Sequence, residues 1–431
     1  MIKVERLSSL SPERLKAIMA RSTEDLKPVM EKTRQILERL IADPEKELYR
    51  EYSPQMENLS LEDFKVSPEE LEKARESLFP ELKAALLKAK DNIERFHRFQ
   101  LERPMSITEV SPGLLAGRVT RPLSSVGVYV PGGLAAYPSS ALMNVIPAKV
   151  AGVKNIVVAT PPGPGLQARD VILAACEIAG ATEIYKLGGA WAVGCMAYGL
   201  AGLPRVDKIV GPGSSWVTAA KMAVFGAVDI DQPAGPSEGF IIADETADPR
   251  FLAWDFLSQL EHDPQASAVL VTTDEGLANA VAELVEVNLP ALDRAEIVRQ
   301  SLSNAAILLA VNLEEAFGFA NEYAPEHLMV VVREAMSRLG SIKNAGSIFL
   351  GPYSPIPAGD YATGPNHVLP TGGSARAFSG LSTDSFLKKM TFQSLTQDAL
   401  EALGQTVITL AKAEGLQAHA RTIEARNIQT K

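Results

Sequence analysis

Five histidines are spread over 431 residues, and four of them, His262, His327, His367 and His419, follow residue 255 in polar, turn-rich surroundings. Ser258-Gln259-Leu260-Glu261-His262-Asp263-Pro264 closes a helical stretch. Gln259 and His262 are three apart and so share one helix face. Ala358-Gly359-Asp360 through Asn366-His367 sets a carboxylate and an imidazole in a glycine-flanked loop, and Glu414 through His419 sets another such pair near the C-terminus. Imidazole, carboxylate and amide oxygen together form a donor set suited to a zinc-like divalent ion. Spacing alone leaves two readings open, a convergent metal site or a series of helix caps and surface hydrogen bonds. Pro325-Glu326-His327-Leu328 runs into the apolar stretch Met329-Val330-Val331-Val332. Adjacent strand side chains face opposite sides, so Glu326 and His327 can serve one site only from the strand's end. In open parallel sheets ligands bind at strand ends. Two neighbouring bases suit two successive proton transfers; a capped strand entrance accounts for the doublet as well.

Phosphate and dinucleotide loops give a weaker signal. The G-x-G-x-x-G fingerprint is incomplete, because Trp216 stands where Gly211-Pro212-Gly213 requires a third glycine, and no G-x-x-x-x-G-K-[ST] occurs. Glycine-rich turns at strand ends still present backbone N–H groups to an anion, although tight strand-to-helix turns need glycine in any case.

The elements that must position these residues follow from the pattern. Residues 1–100 read as charged helices, two of them opened by Ser11-Pro12 and Ser67-Pro68, with serine as N-cap and proline at the first position. Apolar residues keep helical spacing from Glu70 to Gln100, and His97 lies among Glu94, Arg95 and Arg98, which predicts a solvated surface histidine. Strands are predicted over Val126–Val130, Asn155–Ala159, Glu183–Lys186 and Asp207–Val210, each followed by a glycine-rich turn and an alanine-rich helix. A second series, Gly239–Ala243, Ser267–Thr272, Ala305–Ala310, His327–Val332 and Ser347–Leu350, alternates with helices at Pro249–His262, Glu275–Val287 and Leu313–Asn321. Two α/β series with parallel sheets result, with a seam near Pro233–Glu238. Residues 351–384 read as a long ordered loop or lid, and Thr396 to Arg426 as a helical, amphipathic tail broken at Gly415.

Composition narrows the function classes. Acidic residues outnumber basic ones by 52 to 42, a net charge of −10 that disfavours nucleic acid and anionic membrane as partners. The uncharged stretches Pro122 to Ala148 and Leu187 to Pro204 are interrupted by proline or glycine and do not read as membrane spans. Cys176 and Cys195, the two cysteines, lie in apolar stretches, which excludes a disulfide scaffold and predicts buried thiols in a reducing cytoplasm.

From about residue 85 onward the motifs resemble those of the histidinol dehydrogenase family. They include Val126-Gly-Val-Tyr-Val-Pro-Gly-Gly, Tyr137-Pro-Ser-Ser-Ala-Leu-Met-Asn, Ala234-Gly-Pro-Ser-Glu238, Tyr323-Ala-Pro-Glu-His-Leu328, Ala345-Gly-Ser-Ile-Phe-Leu-Gly351, Leu369-Pro-Thr-Gly-Gly-Ser-Ala-Arg376 and the three histidine segments above. The resemblance implies one zinc ion per chain held by Gln259, His262, Asp360 and His419. It implies His327 as the base for the substrate hydroxyl and Glu326 as the base that activates water. Ser237, His367 and Glu414 match substrate contacts, together with Gln259, His262, His327, Asp360 and His419. Tyr129, Trp191 and Ser214 match positions that touch NAD.

The implied reaction is oxidation of L-histidinol through bound L-histidinal to L-histidine with two NAD, the last two steps of histidine biosynthesis. The implied fold is α/β, with two incomplete dinucleotide-fold domains of aldehyde-dehydrogenase-like type, a helical N-terminal segment and a helical C-terminal tail. The expected division is 1–122 with 236–381, then 123–235, and 382–431 as a dimerisation tail whose His419 completes the site of the other copy in a cytoplasmic homodimer. Trp191 and Ser214 depart from the family, which usually has Gln and Asn there. A paralogue oxidising another amino or sulfo alcohol is the alternative, and Glu414 argues against an anionic head group because like charges repel.

Overall fold

The computed structural model describes residues 2–21, 26–55, 59–132, 136–232 and 235–426. The N-terminal part contributes β1 (Val4–Arg6) and helices α1 (Pro12–Ala20), α2 (Lys27–Ala42), α3 (Pro44–Tyr52), α4 (Pro68–Glu76) and α5 (Pro80–Phe99). Ser11 caps α1 by accepting the Arg14 N–H at 3.1 Å, and Ser67 forms a reciprocal capping box with Glu70 at α4. The long apolar register after Glu70 is two helices, not one, because Pro80 opens α5. His97 is fully buried, contrary to the surface position expected. It continues the buried stripe Leu86, Ala89, Ile93 at helical spacing, and its Nδ1–H donates to the Ile93 carbonyl at 2.8 Å.

After β2 (Met105–Ser111) and β3 (Leu114–Pro122), the chain runs β4 (Ser125–Tyr129), α6 (Pro138–Ala151), β5 (Asn155–Thr160), α7 (Asp170–Ala179), β6 (Glu183–Lys186), α8 (Gly189–Tyr198), β7 (Lys208–Val210), α9 (Ser215–Val224) and β8 (Asp229–Ile230). These strands form a parallel sheet in the order β6-β5-β4-β7-β8. A second sheet uses β9 (Glu238–Ala243), β10 (Ser267–Thr272), β11 (Ala306–Leu309), β12 (His327–Val331) and β13 (Ser347–Leu350), with β1 at its edge. Its order is β1-β11-β10-β9-β12-β13, again parallel throughout. Helices α10 (Pro249–Leu260), α11 (Glu275–Asn288), α12 (Ala295–Ser301), α13 (Leu313–Tyr323) and α14 (Ile356–Tyr361) belong to this series. Strands β4, β9, β10 and β12 are buried at every position, as a parallel sheet covered on both faces requires. Both cysteines are free and buried.

Strand β14 (Leu387–Leu395) pairs antiparallel with β3, which pairs with β2, and α15 (Gln397–Ala413) and α16 (Gln417–Glu424) follow. Contacts divide the chain into two compact units, Met1–Gln100 with Leu123–Phe386, and Leu101–Pro122 with Leu387–Lys431. Both parallel sheets lie in the first unit. Among the described residues no helix is long and apolar enough to cross a membrane. Gly133 of the turn after β4 and residues 233–234 of the expected seam lie outside the described residues.

Candidate active site

Glu326 and His327 stand where loop becomes strand. His327 opens β12 and Glu326 precedes it, next to the first residues of β9 and β13. The doublet is therefore at the amino ends of the six-stranded sheet, not at the carboxyl ends that the usual rule for open sheets favours. The reason is local. Helix α10 returns antiparallel to the strands, so Gln259 in its last turn arrives at those same amino ends; the helix stops at Leu260, short of the expected His262, which follows its C-cap Glu261.

His327 is buried, and its Nδ1 lies 3.1 Å from the carbonyl of Glu238. A carbonyl only accepts, so Nδ1 carries a proton in either charge state, and Nε2 is the nitrogen that gains or loses the second one. Nε2 has no hydrogen-bond partner and sits 3.5 Å from Asp360 Oδ1, while Glu326 Oε2 is 3.5 Å from Nδ1. Burial opposes a charge on this imidazole, but Glu326 and Asp360 outweigh it and hold its pKa well above the ordinary range. Burial likewise pushes Asp360 up, and His327, His367 and His262 more than reverse it, so its pKa is lowered. His367 donates from Nδ1 to the Asp360 carbonyl at 2.8 Å, and burial lowers its pKa.

Gln259 is 1% exposed, yet neither its Oε1 nor its Nε2 has a hydrogen-bond partner. An orphaned buried amide is costly unless a ligand completes it. Its stem crosses Gly239 so closely that any Cβ there would collide with Gln259 Cγ. The observation fits a metal or polar ligand held by Gln259 together with Asp360 and His262, the latter contributing to the lowered pKa of Asp360. Among the described residues no group of three or more His, Cys, Asp or Glu side chains is placed to hold a metal ion by itself. Ser237 is half-buried just ahead of Glu238, and its carbonyl accepts the Ser267 N–H at 3.1 Å.

The structure thus brings Glu326, His327, Asp360 and His367 together and sets Gln259 against the same strand start. Glu414, the C-cap of α15, and His419 on α16 are exposed residues of the second unit. Tyr129, Trp191 and Ser214 belong to the carboxyl ends of the five-stranded sheet. The Tyr129 hydroxyl accepts the Gly189 N–H at 3.2 Å, and the Tyr52 hydroxyl accepts that of Gly188 at 3.0 Å. The Trp191 indole N–H points to Glu47 Oε1 at 3.4 Å, and Ser214 is exposed ahead of α9. Gly211, at φ +114°, passes so close to the Tyr129 carbonyl that a side chain would clash. Buried Thr160 Oγ1, at the end of β5, has no hydrogen-bond partner.

Sequence reasoning assigned no role to Glu238, Arg21 or Asn366. Glu238 was visible as a charge at the head of the apolar run Gly239–Ala243. Asn366 donates to the Met143 carbonyl at 2.6 Å and to His97 Nε2 at 3.4 Å, tying the Asp360–His367 loop to α6 and α5.

The profile of histidinol dehydrogenases matches residues 19–427. A histidinol dehydrogenase of Methanothermobacter thermautotrophicus is 48% identical over 422 residues, spanning 98% of this chain and 99% of that one. One from Methanosarcina barkeri is 46% identical and spans 99% and 98%. The chain belongs to the histidinol dehydrogenase family. The crystal structure of histidinol dehydrogenase from Elizabethkingia anophelis agrees with the fold at a TM-score of 0.92 and 38% identity, covering 97% of this chain and 96% of that chain. Membership in the histidinol dehydrogenase family makes the protein an oxidoreductase of histidine biosynthesis.

Proposed function

We propose that the chain oxidises L-histidinol to L-histidine in two NAD-dependent steps through bound L-histidinal. The observation that carries this reading is the buried Glu326–His327 doublet, two bases of different kind at one strand start. In the first step His327 Nε2 takes the hydroxyl proton while hydride leaves the carbinol carbon. In the second, Glu326 takes a proton from the water that adds to the aldehyde, and the hydrate then loses a second hydride and its remaining hydroxyl proton to become the carboxylate. Two NAD, held beside Tyr129, Trp191 and Ser214, would supply the hydride acceptors for the two steps. A zinc ion bound by Gln259, His262, Asp360 and His419 would anchor the imidazole and amine of the substrate, and the orphaned Gln259 amide supports that assignment.

Ser237 and His367 line the substrate, and Glu414 meets its ammonium. Tyr129, Trp191 and Ser214 border the dinucleotide. A cytoplasmic homodimer in which Glu414 and His419 come from the partner is part of the same reading; exposed Val407 and Leu410 on α15 give the tail an apolar face to dock. Two α/β domains, 1–122 with 236–381 and 123–235, remain the proposed division, with 382–431 as the tail. The test is NADH formation from histidinol: two NADH per histidinol, with histidine as product, supports the reading. One NADH with histidinal released, or preference for another amino alcohol, defeats it.

A further inference from the structure

We propose that Glu238 is the positioning residue of the Glu326–His327 centre: its backbone clamps both reactive side chains, and its buried carboxylate locks that backbone in place. The inference rests on the assignment of Glu326 and His327 as the two bases. Glu238 and Glu326 exchange hydrogen bonds. The Glu238 N–H donates to Glu326 Oε2 at 2.8 Å, and the Glu326 N–H donates to Glu238 Oε2 at 3.4 Å. The Glu238 carbonyl accepts from His327 Nδ1 at 3.1 Å, which selects the tautomer with a bare Nε2. One residue therefore aims the carboxylate of one base and fixes the tautomer of the other.

Its own carboxylate holds this backbone from three sides. Oε1 accepts the Gly372 N–H at 2.6 Å and lies 3.4 Å from Arg21 Nη1. Arg21 is 5% exposed, lies 3.7 Å over the Tyr323 ring and donates to the Tyr323 carbonyl. Glu238 is thus tied to the turn at Gly372, to the end of α1 and to the end of α13. A buried carboxylate at the head of a strand otherwise made of Gly-Phe-Ile-Ile-Ala is a burden on folding, and the fixed position of β9's first peptide is what it supplies.

The test uses the full-length enzyme with Glu238→Ala and Glu238→Gln, and with His327→Asn and Glu326→Gln in parallel. Displacing reacting groups by about 1 Å costs on the order of 100-fold in rate. Glu238→Ala should lower kcat by about that factor for histidinol and histidinal alike, with KM within about twofold and bound metal unchanged. Glu238→Gln keeps an acceptor for Gly372 and should fall between. Nitrogen NMR of labelled histidine, recorded at a pH high enough for the ring to be neutral, reads the His327 tautomer without turnover, and both Glu238 variants should show a mixture where the parent shows Nδ1–H alone. Unchanged kcat and unchanged tautomer in Glu238→Gln would overturn the inference even if Glu238→Ala fails to fold. If His327→Asn and Glu326→Gln leave both oxidations intact, it is the assignment of the bases that has failed. If those variants are inactive and the Glu238 variants are not, positioning alone is refuted.

Discussion

The amino ends of the six-stranded sheet and the carboxyl ends of the five-stranded sheet are built on opposite plans. At the first, Glu238, Glu326 and His327 are buried and held by backbone groups, beside the half-buried Asp360 and His367. At the second, the backbone is held by side chains. Asp231 accepts the Gly211 N–H at 2.7 Å and pairs with buried Lys221, which also donates to the Gly211 carbonyl at 3.0 Å. Tyr52 and Tyr129 do the same for Gly188 and Gly189. Under the proposed function the first region moves protons and needs titratable groups kept dry, whereas the second would carry NAD and needs glycine peptides kept in shape. Damage to the first should appear in turnover, and damage to the second in stability and cofactor affinity.

The largest effect expected is on turnover. In the proposed mechanism His327→Asn removes the nitrogen that takes the hydroxyl proton, and alcohol oxidation should fall by about 10²–10⁴-fold. Glu326→Gln should depress histidinal oxidation by a similar factor and histidinol-to-histidinal oxidation by less, since only the second step needs an activated water. Single-turnover assays with each substrate separate the two, and equal losses for Glu326→Gln would break the division of labour.

At the other region, Lys221→Met leaves Asp231 buried without its cation, a change worth about 3–5 kcal/mol of stability. Denaturant unfolding should register that loss. NAD affinity should fall with it, and the histidinal-to-histidinol rate ratio should stay as in the parent. A changed ratio with parental stability would mean that the two ends are not separable.

Legibility in the sequence followed the same contrast. The parallel strands were readable because runs such as Ile156–Ala159 are apolar throughout and lead into a glycine-rich turn, and the motif residues 326–327 and 358–367 stood out as charge in apolar or glycine surroundings. The three-stranded antiparallel sheet was not readable. Met105–Ser111 and Leu387–Leu395 are mostly exposed and mix Lys, Glu, Ser and Thr among their apolar residues, so no buried face marked them. Glu238 and Arg21 were missed because a reciprocal clamp between residues 88 positions apart has no local pattern. His97 was misjudged from its charged neighbours, although its spacing from Ile93 and Ala89 placed it on the buried stripe.

A smaller effect links His97 to the same contrast. Burial lowers its pKa, so the folded state resists its protonation. The unfolded chain binds that proton near pH 6.5, hence stability is complete above this value and declines as pH falls below it. His97→Leu should flatten this acid limb while costing about 1 kcal/mol at neutral pH, as the Asn366 amide loses an acceptor. Urea unfolding at a series of pH values gives the slope, and an identical slope in the variant would remove His97 from the account.

Trp191 gives the finest test, because sequence alone left it between stacking on NAD and filling space behind the Gly188–Gly189 turn. The indole is half-buried, meets Tyr52 edge-on with ring centroids 6.4 Å apart, and directs its N–H to Glu47, whose carboxylate is gripped at 2.9 Å by Arg39. A Cβ on Gly189 would meet the six-membered ring at 3.4 Å, so the indole underlies the turn itself. These contacts favour packing. Trp191→Ala should therefore lower stability by about 1–3 kcal/mol, less than the 3–5 kcal/mol of a fully buried aromatic. Trp191→Gln, which can still donate to Glu47, should lose less. NAD affinity measured on the folded variants should move by less than the ~1 kcal/mol of a lost aromatic contact. If Trp191→Ala instead keeps parental stability and weakens NAD binding by about 1 kcal/mol or more with histidinol binding unchanged, the indole stacks on the cofactor, and this end of the molecule shares side-chain recognition with the other.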